Sequence, residues 1–540
     1  MLSRRSRRTA LAAVATVAAL ALAACGNGDS GGSDNGGASN GDGGPERVYV
    51  EAITGDPSVL NPQFGGGPIP LRFGFAMMET LVEINDQYEI SPGLAKEWDI
   101  SEDGLTVTFT LQEGVEWHDG EPFTAEDVAF NFEEIIPLQT YGAQLTQRMD
   151  SVEIADENTV VLHMNAQFGP FLEALSQQTI VPKHVYEGTD YVTNPANMAP
   201  IGTGPMMFDS YAPGSEVVLV KNPNWWRGET EVDRAIYPIM SDANTRGLAM
   251  LNGELDNAVL DPSAQDDVSD HPDLELNDGG VFPQMVSLTL NARLPELEDP
   301  EVRALVFSAI DREAITELAL RGLGEASTGF LPDALAWAQH PDVNFDEDFP
   351  RDVEAINEGL DAAGFEVGAD GYRFTLDARY VAEHSEAEAT AEVIRSSLEE
   401  VGIGVNLVGA AEPVWSEAVW GDYDFGMNIL RNTVGADPSI GPARWLTCNP
   451  DDIPQNNASG VCDEELQAAA DGASSVLDRD ARAEHYYTLQ ERARDLIYWA
   501  PLSWYSGSFN TINTSRWAGL DKLDGQTNNI AWAHMEWIGD

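Results

Sequence analysis

From residue 47 onward the chain switches repeatedly between two hydrophobic periods. Alternating apolar and polar positions predict strands at 47–53 and 105–111, where Leu105, Val107, Phe109 and Leu111 alternate with polar residues. Two hairpins are predicted: 152–154 with 160–164 across Asp156-Glu157-Asn158, and 206–211 with 217–220 across Pro213-Gly214. Further strands are expected at 285–290, 404–408 and 424–430. Apolar residues three and four apart predict a largely helical segment over 299–320, with Val302, Leu305, Val306, Ala309 and Ile310 on one face. Thr124 with Asp127 reads as a capping box opening a helix through Phe132. A helix over 386–401 is ended by Gly402, and 464–497 holds two helices separated near Asp478. No solenoid-length repeat is visible, and the mixture predicts an α/β or α+β fold.

The first residues break this pattern. Arg4, Arg5, Arg7 and Arg8 precede an uncharged Ala-, Leu- and Val-rich run from Thr9 to Ala24, too short for a comfortable membrane span. Leu22-Ala23-Ala24-Cys25 resembles the bacterial lipobox, which implies a signal peptide over 1–24 and a diacylglycerol on Cys25. Acyl chains add roughly 0.8 kcal/mol per buried methylene, so two or three of them hold a soluble body at a membrane. Residues 26–44 are Gly, Ser, Asn, Asp and one Ala, so 25–45 is expected to be a flexible tether. No later segment has the apolar length a bilayer needs.

Charge alters the picture more than hydrophobicity does. The hydrophobic fraction is an ordinary 43%, but 90 acidic and 29 basic residues leave a formal charge of −61. The lysines are Lys96, Lys183, Lys221 and Lys522. Such a surface repels nucleic acid and anionic headgroups, and it repels itself until salt screens it. A salt-dependent fold is expected, and a melting temperature flat from dilute buffer to molar salt would contradict that. With Cys25 lipidated, Cys448 and Cys462 remain as an even pair in an exported chain, which suggests one disulfide; two free thiols are the alternative. No histidine or second cysteine pair stands at metal-ligand spacing, so neither metal nor cofactor is expected.

Seven stretches, in order, carry a resemblance to a known family. They are Asp56-Pro57-Ser58-Val59-Leu60-Asn61-Pro62; Pro92-Gly93-Leu94-Ala95-Lys96-Glu97-Trp98; Ser101-Glu102-Asp103-Gly104-Leu105-Thr106 through Phe109; and Gly114-Val115-Glu116-Trp117-His118-Asp119-Gly120-Glu121-Pro122-Phe123-Thr124-Ala125-Glu126-Asp127-Val128. Ile201-Gly202-Thr203-Gly204-Pro205, Val302-Arg303 with Ile310-Asp311-Arg312, and Glu400-Val401-Gly402-Ile403 follow. Together they make the chain similar to the family-5 extracellular solute-binding proteins, the dipeptide, oligopeptide and nickel-binding group of ABC importers. The resemblance implies a two-lobed periplasmic-binding-protein-like fold with an extra subdomain on lobe I. Lobe I is expected from 46–90, 200–290 and 508–540, the subdomain from 91–199, and lobe II from 291–507. It further implies a monomer, anchored outside the cell membrane, that hands an unaltered solute to permease subunits. A peptide or peptide-like solute is expected first, then an oligosaccharide, then nickel. A secreted hydrolase is the alternative from another class, and turnover of peptides or glycosides would reveal it.

Candidate residues follow from the resemblance and from their own chemistry. Peptide-binding relatives place a carboxylate for the ligand's amino group about three residues before an Asp-Pro; here Val434 stands there. Asp437 could act for it, although it matches the turn aspartate of the motif. Arg431 either meets a ligand carboxylate bidentately or neutralises nearby acid. Trp415 and Trp445 are pocket walls or core. Gly65 and Gly66, beside Gly67-Pro68, either admit close backbone approach to ligand or form a flexible turn. Trp117-His118-Asp119-Gly120 reads as a strand-to-helix turn rather than a catalytic pair, because no nucleophile motif accompanies it. Gly202-Thr203-Gly204-Pro205 lacks the Lys-Ser/Thr ending of a phosphate loop and reads as a tight crossing between lobes.

Overall fold

A computed structural model describes residues 45–540 apart from 66–67, 86–87, 261–267, 269, 278–283, 383, 506–509, 522, 525–528, 531 and 540. A seven-stranded sheet runs in the order Leu274–Asn277, Asn510–Asn513, Asn257–Val259, Val48–Ala52, Arg234–Pro238, Glu216–Lys221, Met206–Ala212. Val48–Ala52 lies parallel to both of its neighbours. Tyr49, Phe73, Leu219, Ala235 and Tyr237 close one core over this sheet, joined by Trp517 and Trp532 from the end of the chain.

A six-stranded sheet follows the order Glu325–Ala326, Trp499–Tyr505, Gln284–Leu290, Met427–Thr433, Phe374–Val381, Ile403–Ala410. Met285 to Leu290 are all buried, as are all residues of Trp499–Tyr505. A central strand covered on both faces needs a near-continuous apolar run, and both sequences supply it. Helix Ser385–Glu399 packs on this sheet and ends at Gly402, whose φ of +74° suits a glycine. The chain then enters Ile403–Ala410, parallel to Phe374–Val381.

A third, four-stranded sheet runs Ala95–Ile100, Thr106–Leu111, Thr159–Met164, Met149–Asp156. Its helix Ala125–Phe130 starts where the Thr124 N–H and hydroxyl both donate to Asp127. Phe130 and Ile135 enter the core of the seven-stranded sheet. Phe109, Leu162, Phe168 and Phe171 belong to a core continuous with the six-stranded sheet. The small module therefore packs on both large bodies.

Three expectations change. The helix over 299–320 is broken: Asp299 caps Pro300–Ala309, Ile310 turns to ψ 125°, and Asp311 caps a new turn by accepting from the Ala314 N–H. A short carboxylate competes with the helical ladder for backbone N–H groups, and here it restarts the helix. The strand expected at 424–430 is Met427–Thr433, so Arg431 lies within the sheet; Asp424 instead pairs with Arg379. Gln284–Leu290, placed with lobe I by the sequence division, hydrogen-bonds on both sides to strands of the six-stranded sheet.

Candidate functional site

The seven-stranded sheet holds the strands ending at Asn277 and starting at Asn510, and the six-stranded sheet holds those starting at Gln284 and ending at Tyr505, so the chain changes sheet twice. The four strand ends at these crossings are matched in register. Asn277 lies opposite Asn510 in one sheet, and Gln284 opposite Tyr505 in the other, where the Tyr505 hydroxyl donates to Gln284 Oε1 at 3.1 Å. Strands of both large sheets therefore end beside one another at two places.

Two guanidinium–carboxylate pairs flank the crossings. On the seven-stranded side Arg72 pairs with Glu51 and donates to Asn510 Oδ1 at 2.9 Å, while the Tyr49 hydroxyl donates to Glu51 at 2.8 Å. Burial, and behind it the Glu51 charge, hold Tyr49 protonated well above the usual phenol range. On the six-stranded side Arg431, opposite Val286, donates to Glu386 Oε1 at 2.9 Å. Glu386 is 6% exposed as a side chain and Arg431 is 30% exposed. The Tyr505 hydroxyl is a second hydrogen-bond partner of Arg431, so the guanidinium is shared between Glu386 and Tyr505 while the side chain keeps part of its surface in solvent.

Asp437 has a different setting. It follows Met427–Thr433 and is fully buried. Its carboxylate pairs with Arg482, accepts from the Tyr486 hydroxyl at 2.7 Å and accepts from the Ser439 N–H at 2.9 Å. Val434, three residues earlier, is also fully buried. Trp415 packs edge-on against Trp420 and donates its indole N–H to Asn428 at 2.9 Å. Trp445 stacks on Trp499 at 5.0 Å. Both rings are turned into the interior at 1% and 2% exposure. Gly65 is partly exposed just before helix Pro68–Met77. Gly66 and Cys25 lie outside the described residues. Cys448 and Cys462 form a disulfide with Cα atoms 4.6 Å apart. It closes a loop whose cross-link contributes about 3 kcal/mol in the chain-entropy model.

The Trp117–Gly120 segment is a structural knot. The His118 backbone N–H donates to the Gly202 carbonyl at 2.9 Å. Its ring Nδ1 accepts from the Gly202 N–H at 3.1 Å, and Nε2 lies 3.0 Å from the Gly204 carbonyl as its donor. Burial pushes this imidazole down to about 4, so it is neutral at pH 7. Asp119 bonds to His184 at 2.7 Å rather than to His118. Gly202 and Gly204 approach the backbone of Met77 so closely that a Cβ on Gly202 would sit 1.9 Å from its carbonyl oxygen. Glu79 finishes the knot by accepting from Thr203 at 2.7 Å and from the indoles of Trp225 and Trp226 at 3.2 and 2.7 Å. This three-fold convergence on Glu79 had no sequence signal beyond the glycines and the tryptophan pair.

Among the described residues no cluster of three His, Cys, Asp or Glu side chains is placed to hold a metal ion, and no helix is long and apolar enough to cross a membrane. The chain is 27% identical to Protein XP55 of Streptomyces lividans, covering 91% of this chain and 90% of that protein. It is 26% identical to the Dipeptide-binding protein of Escherichia coli (strain K12), covering 70% and 73%. The structure of the ABC transporter substrate binding protein CtaP from Listeria monocytogenes superposes with a TM-score of 0.79 at 23% identity, over 91% of this chain and 99% of that one. The fold is the two-lobed α/β architecture of periplasmic binding proteins. A family model for bacterial extracellular solute-binding proteins, family 5 (middle), matches residues 89–452, and the chain belongs to that family.

Proposed function

We propose that this chain captures a peptide or peptide-like solute between its lobes, outside the cytoplasm, and delivers it unaltered to an ABC importer. The observation that carries the reading is the in-register double crossing flanked by Arg431, whose partly exposed side chain suits a ligand carboxylate. Kinship with a dipeptide-binding protein supports the ligand class. Lobe I comprises 46–90 and 200–277 with the chain end from 510, lobe II comprises 284–505, and 91–199 is the added module. Closure is driven only as far as the solute prefers the closed form. No chemistry on the solute is required, and the chain acts as a monomer docking on permease subunits. Cys25 carries a lipid that holds the protein at the outer face of the membrane.

The test is calorimetric titration with short peptides, followed by mass spectrometry of the recovered ligand. Saturable binding with peptide recovered intact is expected. Sustained cleavage, or binding of oligosaccharides with indifference to peptides, would overturn the reading. For the anchor, Cys25→Ser is expected to release the protein from cells, and continued membrane retention would refute it.

A further inference from the structure

Among the described residues the small module meets the second lobe in a seam around Gly169 and residues 474–482, where the two share an apolar core. The Gly169 N–H donates to the Ser474 carbonyl at 2.7 Å. A Cβ on Gly169 would lie 2.3 Å from the Val476 carbonyl oxygen, so only glycine allows this approach. Gly104, at φ +66°, gives way to the tip of Leu477 in the same manner. Next to this backbone contact, Glu173 of helix Phe171–Leu175 stands 4.0 Å from Arg482 Nη1. Arg482 lies in the first turn of the long helix Arg479–Leu496, and its other terminal nitrogen is committed to Asp437. The Arg482 side chain is 3% exposed and that of Glu173 is 20% exposed.

Around Arg482 itself the charges do not balance when both of its acids are ionised. Asp437 and Glu173 share one guanidinium, and Asp437 has the closer hold together with the Tyr486 hydroxyl and the Ser439 N–H. Arg479, on the same helix as Arg482, lies over the Trp337 ring. The Asp471 charge acts on Arg148 elsewhere along the seam. A proton on Glu173 makes the Glu173–Arg482–Asp437 set neutral.

We propose that this seam is a proton-operated latch: Glu173 takes a proton from solvent as the small module closes on the second lobe, and its ionisation loosens the contact. Burial, and behind it the Asp437 charge, push Glu173 up to about 7 from an ordinary 4.5, against the pull of Arg482 and Arg479. An acid whose pKa rises on closure favours the closed form as pH falls from about 7 toward 4.5, and the effect levels off above 7. Asp437 begins the turn that follows Met427–Thr433, so the latch also braces the strand that carries Arg431. That last link rests on the peptide-binding reading; the latch itself does not.

Hydrogen exchange of the ligand-free full chain tests it, comparing protection factors, corrected for intrinsic rates, in the segments holding Gly169 and residues 474–482. Between about pH 8 and pH 6 seam protection is expected to rise about tenfold in the wild type, the proton linkage set by the Glu173 shift. Glu173→Gln is expected to remain at the acid level at both pH values. Gly169→Ala is expected to lose seam protection at both while still melting cooperatively; should that variant fail to fold, the Glu173→Gln comparison decides alone. A wild type without pH dependence, or one that Glu173→Gln leaves unchanged, overturns the latch. A normal latch profile in a protein that ignores peptides would instead defeat the ligand reading alone.

Discussion

Two carboxylate–guanidinium pairs lie along or just beyond the strand Met427–Thr433, and they teach opposite lessons. Asp437–Arg482 is sealed, with side chains 1% and 3% exposed, and the carboxylate is saturated by Tyr486 and Ser439. Glu386–Arg431 is sealed on the acid side only, at 6% against 30%. Both Asp437 and Arg431 read as ligand contacts in sequence. The structure gives Asp437 an internal partner for its charge and leaves Arg431 a face toward solvent beside the crossing. A buried charge that is fully partnered acts as a clamp, and an incompletely covered one keeps donors for a solute.

The largest effect is expected where the seal is broken. Asp437→Ala leaves the buried Arg482 guanidinium with Glu173, 4.0 Å away, as its remaining carboxylate and should cost about 3–5 kcal/mol of unfolding free energy. Denaturant unfolding with an unchanged m-value is the measurement. Stability close to wild type, together with weakened peptide binding, would invert the comparison and make Asp437 the ligand anchor.

A second effect is nearly as large and concerns a buried group held without any charge. His118 is pinned between the Gly202 N–H and the Gly204 carbonyl, and burial lowers it from 6.5 to about 4. Above 6.5 the ring is neutral folded and unfolded, so the full contribution is present. As pH falls the unfolded chain binds the proton first, and stability drains away until the folded ring titrates as well. Between about pH 7 and 4.5 this amounts to about 2–3 kcal/mol. His118→Gln should show a correspondingly shallower loss of unfolding free energy over that interval. Equal slopes in the two proteins would mean that the imidazole is solvated and the knot is loose.

What was legible in sequence was what repeats along the chain. Alternation in 105–111 and 160–164 placed strands because each has one buried and one wet face. The capping box at Thr124 and the stop at Gly402 are local chemistry, and both read true. The break at Ile310-Asp311 was hidden because the apolar period continues through it, and only the Asp311 side chain decides the matter. The site was less legible for a related reason. Whether a carboxylate serves a solute or the fold depends on a partner far along the chain: Arg482 is 45 residues from Asp437, and Glu386 is 45 from Arg431. Nothing near Asp437 in sequence announces Arg482, and nothing near Trp445 announces the Trp499 ring that covers it.

The smallest effect on stability belongs to Arg431, and it bears most directly on function. Replacing it with alanine would expose the comparison to a trivial failure, because Glu386 would lose its partner. Arg431→Lys keeps a cation beside Glu386 but removes the planar fork, so the ion pair survives while bidentate capture of a ligand carboxylate does not. The melting temperature is expected to stay within about 2 °C of wild type. Affinity for a carboxylate-bearing peptide should fall by about 1 kcal/mol, roughly fivefold in Kd, whereas an amidated peptide should lose little. The amidated peptide is the control that matters: a loss equal for both peptides would show that Arg431 shapes the cleft without touching the carboxylate. An unchanged affinity with a fallen melting temperature would place Arg431 with Arg482, as a second clamp, and would leave the cleft to be explained by other residues.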